Sequence, residues 1–257
     1  MSPTRLTVPC EARCCDAELV VVVRHGEPVS YCDGGLTPNG RHQIELCGAA
    51  LAGQLHFSVK QRSSFERPAR VVTWTSPSRR CRETASTLVA VLRDEGFLAR
   101  RARVRWELAP VQVRTPSGMV DLAAVIPDVG EGPPAGDLER FWEKHRSGEN
   151  PFALWEVGEF PSFEPLASVQ ARLEALDSDV ASPESSGTDA GCRVRVLVTH
   201  CENIRLLEQS WGLADPPGAA LGEARLYRSG CRAGRGGRAL WTSKMQGGLD
   251  SGEEART

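Results

Sequence analysis

Four polar or charged groups follow predicted strands in this chain. Arg24-His25-Gly26-Glu27 comes directly after Leu19-Val20-Val21-Val22-Val23, and Arg80 follows Arg70-Val71-Val72-Thr73-Trp74-Thr75. Glu107 follows Val104-Arg105-Trp106, and His200 follows the run from Val194 to Thr199. Two imidazoles, two guanidiniums and a carboxylate gathered in one place suit covalent phosphoryl transfer. A neutral imidazole nitrogen attacks phosphorus well, and its ordinary pKa near about 6.5 leaves it largely unprotonated at neutral pH, so His25 is the candidate nucleophile. Arg24 and Arg80 could clamp the phosphoryl oxygens through planar donor forks. His200 would complete the pocket as a second imidazole hydrogen-bonding the transferring group. Glu107 is the candidate to protonate the leaving oxygen and then to activate water, with Glu27 and Glu202 as competitors.

Such a set converges only if the strands lie side by side. A continuous β-branched run closed by a charge reads as a strand buried on both faces of a parallel sheet, and the carboxyl ends of such strands form the binding crevice. The expectation is a three-layer α/β/α sandwich with a mainly parallel sheet. Leu36-Thr37-Pro38-Asn39-Gly40 reads as a turn into a helix, with Thr37 as N-cap and Pro38 at the first helical position. Ile44, Cys47, Ala50 and Leu51 give that helix an apolar stripe. A second helix runs from about Ser78 to Asp94, buries Leu88, Val91 and Leu92, and stops at Gly96. Further helices are predicted over about 165–176 and 202–211, the latter starting beside His200, where its positive dipole end adds attraction for an anion.

Between about Thr115 and Phe163 the density of Pro and Gly predicts an insertion over the crevice rather than a sheet element. Weaker strands near 224–227 and 238–241 flank a Gly-rich hairpin. Its Arg228, Arg232, Arg235 and Arg238 read as a solvated edge. The domain organisation is then an N-terminal extension over 1–17, one domain over 18–245, and a polar tail over 246–257.

With 257 residues, 40% hydrophobic and 25% charged, the chain can bury one substantial core. A formal charge of −2 gives no basic field for a nucleic-acid backbone. Nine irregularly spaced cysteines give no disulfide framework, and no signal peptide or bilayer-length apolar run is present. A soluble protein of a reducing compartment is expected, cytoplasmic or alternatively mitochondrial. No cofactor is called for, and Cys10, Cys14, Cys15 and Cys32 lack the paired spacing of a zinc site. His42, His56 and His145 read as surface or packing residues, and Arg79 and Arg82 as solvated or rim residues. Cys81 and Cys201, beside Arg80 and His200, raise the question of an oxidation-sensitive pocket, although inert buried thiols are the favoured reading.

The motifs resemble the histidine phosphatase superfamily, the phosphoglycerate mutase-like fold. Arg24-His25-Gly26-Glu27 looks like its first signature, and Leu36-Thr37-Pro38-Asn39-Gly40 with Gln43 is similar to its Leu-Thr-x-x-Gly turn. Ser76-Pro77 through Arg80 and Glu83-Thr84-Ala85 resembles the second signature, and His200 opens the last. A closer likeness, carried by Leu36 to Leu46, Glu107-Leu108-Ala109-Pro110 and His200-Cys201-Glu202-Asn203-Ile204-Arg205, is to mitochondrial protein serine/threonine phosphatases of that superfamily. It implies phosphoprotein substrates. Those phosphatases have serine where Gly26 stands, and they carry an N-terminal membrane segment and a partner-binding region not expected here, so membrane anchoring and their mode of assembly are not carried over. The resemblance implies a phosphomonoester hydrolase working through phospho-histidine on a phosphorylated protein or a small phosphomonoester, and self-association is compatible with it. Two alternatives are a mutase, against which the ten residues between His25 and Leu36 speak, and a non-catalytic phospho-ligand binder or scaffold.

Overall fold

A computed structural model describes residues 19–30, 34–60, 68–116, 118–125, 136–181, 193–213, 216, 218–228 and 239–243. The N-terminal extension, the polar tail, the possible zinc ligands Cys10, Cys14, Cys15 and Cys32, and the hairpin residues Arg232, Arg235 and Arg238 lie outside them.

The sheet is organised around β1 (Leu19–Arg24), whose parallel partner is β7 (Arg193–Thr199), itself parallel to β2 (Arg70–Thr75). Short parallel strands β3 (Leu98–Ala99) and β4 (Arg103–Val104) extend β2. On the other side β8 (Ala224–Arg228) and β9 (Trp241–Thr242) add antiparallel edges, giving a seven-stranded, mainly parallel sheet. The alternation along β1 assigns its two faces: Leu19, Val21 and Val23 enter one core and Val20 and Val22 the other. The first core is closed by α1 (Pro38–Lys60) and α2 (Arg79–Asp94), the second by α5 (Leu166–Ala181) and α6 (Cys201–Ser210). The expected α/β/α sandwich therefore holds.

The local signals of α1 and α2 act as expected. Thr37 Oγ1 accepts from the Gly40 amide at 2.8 Å as the cap of α1, and Gly96 takes a φ of 87° where α2 stops. Val91 is half-buried, and Val89 joins Leu88 and Leu92 in the core.

Two expectations are corrected. The segment after β4 is not a strand running to Glu107: Trp106–Leu108 form a 3-10 turn, with Glu107 at its centre. Pairing with β2 ends where Arg105 N–H reaches the Thr75 carbonyl, since β2 itself stops before Pro77. The turn is then fixed from outside, because Thr199 Oγ1 and Asn203 Nδ2 donate to the Leu108 carbonyl and Asn203 also donates to that of Ala109.

The second correction concerns the insertion. It contains regular structure: a hairpin of β5 (Gln112–Thr115) and β6 (Gly118–Asp121), then α3 (Asp137–Arg146) and α4 (Pro151–Glu156). Phe141 is fully buried and lies 5.1, 5.6 and 5.0 Å, ring to ring, from Phe152, Phe160 and Phe163. These aromatics belong to the same core as Val20, Val22 and Leu197 of the sheet, so the insertion is packed into the second layer.

Candidate active site

The carboxyl ends of β1 and β7 deliver Arg24, His25 and His200 to one place, and the first turn of α2 brings Arg80 from β2. They line an open cleft of about 510 Å³, including its mouth, with Cys201 and Glu202 beside them. The strand-end residues are the floor of this cleft, and Pro110, Asp121, Leu122, Phe141, Trp142, His145 and Phe152, its wall, make up the rest of the lining.

The hydrogen bonds assign the ring nitrogens. His25 Nδ1 lies 2.8 Å from the Gly26 carbonyl, which can only accept, so Nδ1 carries the proton and Nε2 the lone pair. Arg80 Nε donates to that Nε2 at 3.3 Å, and Arg80 Nη2 meets His200 Nδ1 at 3.3 Å. Nη2 can only donate, so His200 Nε2 carries the proton and faces Ser76 Oγ at 3.0 Å. A hydroxyl serves either role, and here Ser76 Oγ accepts from Nε2. The two imidazoles stand edge to face with centroids 5.2 Å apart, bridged by one guanidinium.

Burial, reinforced by Arg80, lowers the His25 pKa to about 3; the hydrogen bond to the Gly26 carbonyl opposes this, and Arg24 adds a weaker lowering. Burial also holds His200 well below the ordinary histidine range, with Arg80, His25 and Arg24 adding to it. Both rings are therefore neutral at pH 7, the state in which an imidazole nitrogen can attack. Arg24 Nη1 donates to the Ala219 carbonyl at 2.6 Å, while its buried Nε has no partner among the described residues. An orphaned donor beside two neutral imidazoles and Arg80 makes the cleft a receptor for an anion.

The supporting residues explain the motif's spacing. A side chain at Gly26 would put its Cβ 2.6 Å from the Gly40 carbonyl oxygen, and one at Gly40 would sit 2.2 Å from that of Glu27. The close approach of the turn after β1 to the start of α1 thus requires both glycines. Glu27, a competitor for the proton-donor role, is a latch: its Oε2 accepts from Thr37 Oγ1 and Asn39 Nδ2 at 2.9 and 2.7 Å, and these bonds lower its pKa. Glu83 holds the Leu36 amide in the same way, and Thr84 Oγ1 accepts from the Gly26 amide. Arg79 pairs with Glu83 at 2.9 Å, and His56 Nε2 donates to the Glu95 carbonyl at 3.0 Å, and neither residue lines the cleft.

Glu107 is not among the residues that line the cleft. Both its carboxylate oxygens are engaged by Arg105, at 2.8 and 3.1 Å, and Arg105 is itself stacked 4.7 Å over the ring of Trp74. The third carboxylate considered, Glu202, does line the cleft, and its Oε2 accepts from Cys201 Sγ at 3.3 Å. Sequence reasoning missed Ser76, Asn203 and Arg172, which donates to the carbonyls of Glu107 and Pro110. It also missed Asp121 and assigned His145 to packing, although His145 reaches the cleft stacked on Trp142. No cluster of His, Cys, Asp and Glu able to hold a metal occurs among the described residues. Nor is any helix among them long and apolar enough to cross a membrane.

No protein-family model and no curated protein matches the sequence. Solved structures do match the fold. A mycobacterial glucosyl-3-phosphoglycerate phosphatase aligns with a TM-score of 0.52 at 22% identity, over 82% of this chain and 90% of that one. A phosphoglycerate mutase from Bacillus anthracis aligns with a TM-score of 0.52 at 16% identity, over 84% of this chain and 90% of that one. At such identities the likeness concerns architecture, and on that ground the chain has the phosphoglycerate mutase-like α/β fold.

Proposed function

We propose that this chain is a phosphomonoesterase of the histidine phosphatase type that works through a phospho-His25 intermediate. The observation that carries the reading is Arg80, whose guanidinium touches the lone-pair nitrogen of His25 and the ring of His200 at once. A phosphoryl group bound across Arg24 and Arg80 would present its phosphorus to His25 Nε2. The P–N bond forms as the bond to the leaving oxygen breaks, and water then attacks phosphorus to release phosphate. Charge spread over the equatorial oxygens is met by Arg24, Arg80, His200 and the N-terminal end of α6. Two guanidiniums supply the cationic field that a metal ion supplies in other phosphoryl-transfer sites.

Hydrolysis is favoured over mutase chemistry by the ten-residue connection between His25 and Leu36, which leaves little chain to enclose a returning acceptor. Both classes occur among proteins of this fold, a phosphatase and a mutase being the two aligned above. For the substrate, a phosphoprotein follows from the motif likeness over Leu36–Leu46 and His200–Arg205. The test separates the readings. Phosphate release from 4-nitrophenyl phosphate should fall by several orders of magnitude in His25→Ala with the unfolding transition kept. An acid-labile phosphoenzyme should be trapped in the wild type and absent from the variant. Near-normal turnover by His25→Ala would sink the mechanism, and isomer formation from 3-phosphoglycerate without phosphate release would replace hydrolysis with the mutase.

A further inference from the structure

The second core contains charges that the proposed reaction does not use. Glu208 of α6 is fully buried, and Arg225 of β8 is 5% exposed. Arg225 Nη1 donates to both carboxylate oxygens of Glu208 at 2.9 and 2.8 Å, and the Tyr227 hydroxyl donates to one of them. Arg225 is paired in register with Val22 of β1, so its side chain leaves the sheet on the face that carries Val20 and Val22. Taking two charges out of water offsets most of what their attraction returns, so such a pair contributes little net stability. What this one fixes is position.

The rest of the Arg225 fork reaches the loop before β8. Its Nη2 donates to the Gly218 carbonyl at 3.1 Å and its Nε to Glu223 Oε1 at 2.6 Å. The other oxygen of Glu223 accepts from the Ala220 amide at 2.7 Å, and the Glu223 amide donates to the Ala220 carbonyl at 3.0 Å. Ala219, itself buried, therefore stands between two residues that this network holds. Its carbonyl is the acceptor for Arg24 Nη1 at 2.6 Å. The same loop grips the end of β1 through the backbone: Arg24 N–H donates to the Glu223 carbonyl at 2.9 Å and Gly222 N–H to that of His25 at 3.0 Å. Because α6 starts directly after His200, one ion pair ties the helix of His200 to the loop that holds Arg24.

We infer, on the phosphatase reading of the cleft, that Arg225 is a positioning residue for the anion clamp: anchored by Glu208 and Glu223, it sets the Ala219 carbonyl that orients the Arg24 guanidinium. A guanidinium on a free stem loses rotamer freedom at every binding event. With Nη1 already bound to a fixed carbonyl, that loss is met on folding, and the buried Nε, without a partner among the described residues, is left for an incoming oxygen. Arginine suits the task where lysine does not, because its three coplanar nitrogens serve three separate acceptors.

The affinity for inorganic phosphate, measured by titration calorimetry, tests this independently of turnover. Arg225→Lys keeps the charge in the core and removes the fork. It should weaken phosphate binding about tenfold, within the coupling range of groups in one hydrogen-bond network. In an Arg24→Ala background the same change should cost less than about twofold, because the group it positions is gone. Glu223→Gln leaves the Arg225–Glu208 pair whole and should repeat the pattern with a smaller loss. It becomes the deciding variant if Arg225→Lys shows no cooperative unfolding transition. A general loosening of the fold would instead weaken binding by the same factor with and without Arg24. Equal factors in the two backgrounds, or an unchanged phosphate affinity in the deciding variant, would overturn this role, and so would a wild type that binds no phosphate. If the wild type shows the Arg24-dependent pattern yet releases no phosphate from 4-nitrophenyl phosphate, the phosphatase reading falls while Arg225 keeps its role at an anion site.

Discussion

The floor and the wall of the cleft are built by different means. Arg24, His25 and His200 sit at or just after strands of the central sheet and Arg80 in the first turn of the helix that follows β2, so the register of β2, β7 and β1 sets their positions, and bonds such as His25 Nδ1 to the Gly26 carbonyl complete them. The wall comes from the hairpin and helices of 112–163, whose placement depends on the aromatic cluster about Phe141. The floor holds two buried imidazoles beside guanidiniums, and the wall holds aromatic and apolar side chains with the Asp121 carboxylate. A sheet edge positions the first and a packed segment of the second layer positions the second, so the wall can change composition without moving His25.

The comparison is broken most directly at Phe141. If the wall belongs to the second core, Phe141→Ala should lower the stability of the whole chain by about 3–5 kcal/mol, the range for a large buried aromatic. It should do so in one cooperative transition seen alike by far-UV and aromatic signals. Wild-type stability with only KM altered would mean that the segment is an independent lid and that its packing against Val20 and Val22 contributes little.

Protonation of the floor gives the next effect. The folded pKa of His25 lies near 3, below the ordinary 6.5, so between these values the unfolded chain binds more protons than the native one. Stability then rises with pH through that window and is lost as pH falls from about 6.5 towards 3, by about 1.4 kcal/mol for each unit. His200 acts in the same direction. Above 6.5 both states leave these rings neutral and the slope vanishes. Denaturant midpoints measured between pH 4 and 7 should show a shallower slope for His25→Asn than for the wild type. Identical slopes would mean that the ring is hydrated in the native protein.

The same division governs what could be read from the chain alone. Arg24, His25, Arg80 and His200 announce themselves because each follows a β-branched run or opens a helix, and local sequence dictates both. Thr37, Pro38, Gly40 and Gly96 were legible for the same reason, each serving a local cap or close approach. The setting of Glu107 was misread, because an apparent strand over 104–106 was read as continuing. It ends when β2 runs out of partner, and bonds from Thr199, Asn203 and Arg172, distant in sequence, fix the turn that replaces it. Asp121 was invisible for a related reason. The density of Pro and Gly over 115–163 suggested irregular chain, whereas the alternating Gln112-Val113-Arg114-Thr115 and Gly118-Met119-Val120-Asp121 were the hairpin signal.

The smallest effect expected on the floor is that of oxidation. Cys81 is fully buried in α2, and Cys201 is half-buried at the start of α6, both within the electropositive surroundings that usually activate a thiol. Burial opposes that field and exceeds it: it pushes the Cys81 pKa up to about 12, against weaker lowering by Ser78 and Arg80. It pushes Cys201 up to about 12 as well, where Glu202 reinforces burial and Arg24 opposes it. At pH 7 roughly one thiol in 10⁵ would be ionised at such values, and peroxide reacts with the thiolate. Turnover of 4-nitrophenyl phosphate should therefore survive peroxide at pH 7, and Cys201→Ala should respond as the wild type does. Peroxide inactivation that Cys201→Ala abolishes would show that the Arg24 and Arg80 field reaches the sulfur more strongly than desolvation. The floor would then be a redox-sensitive surface as well as an anion receptor.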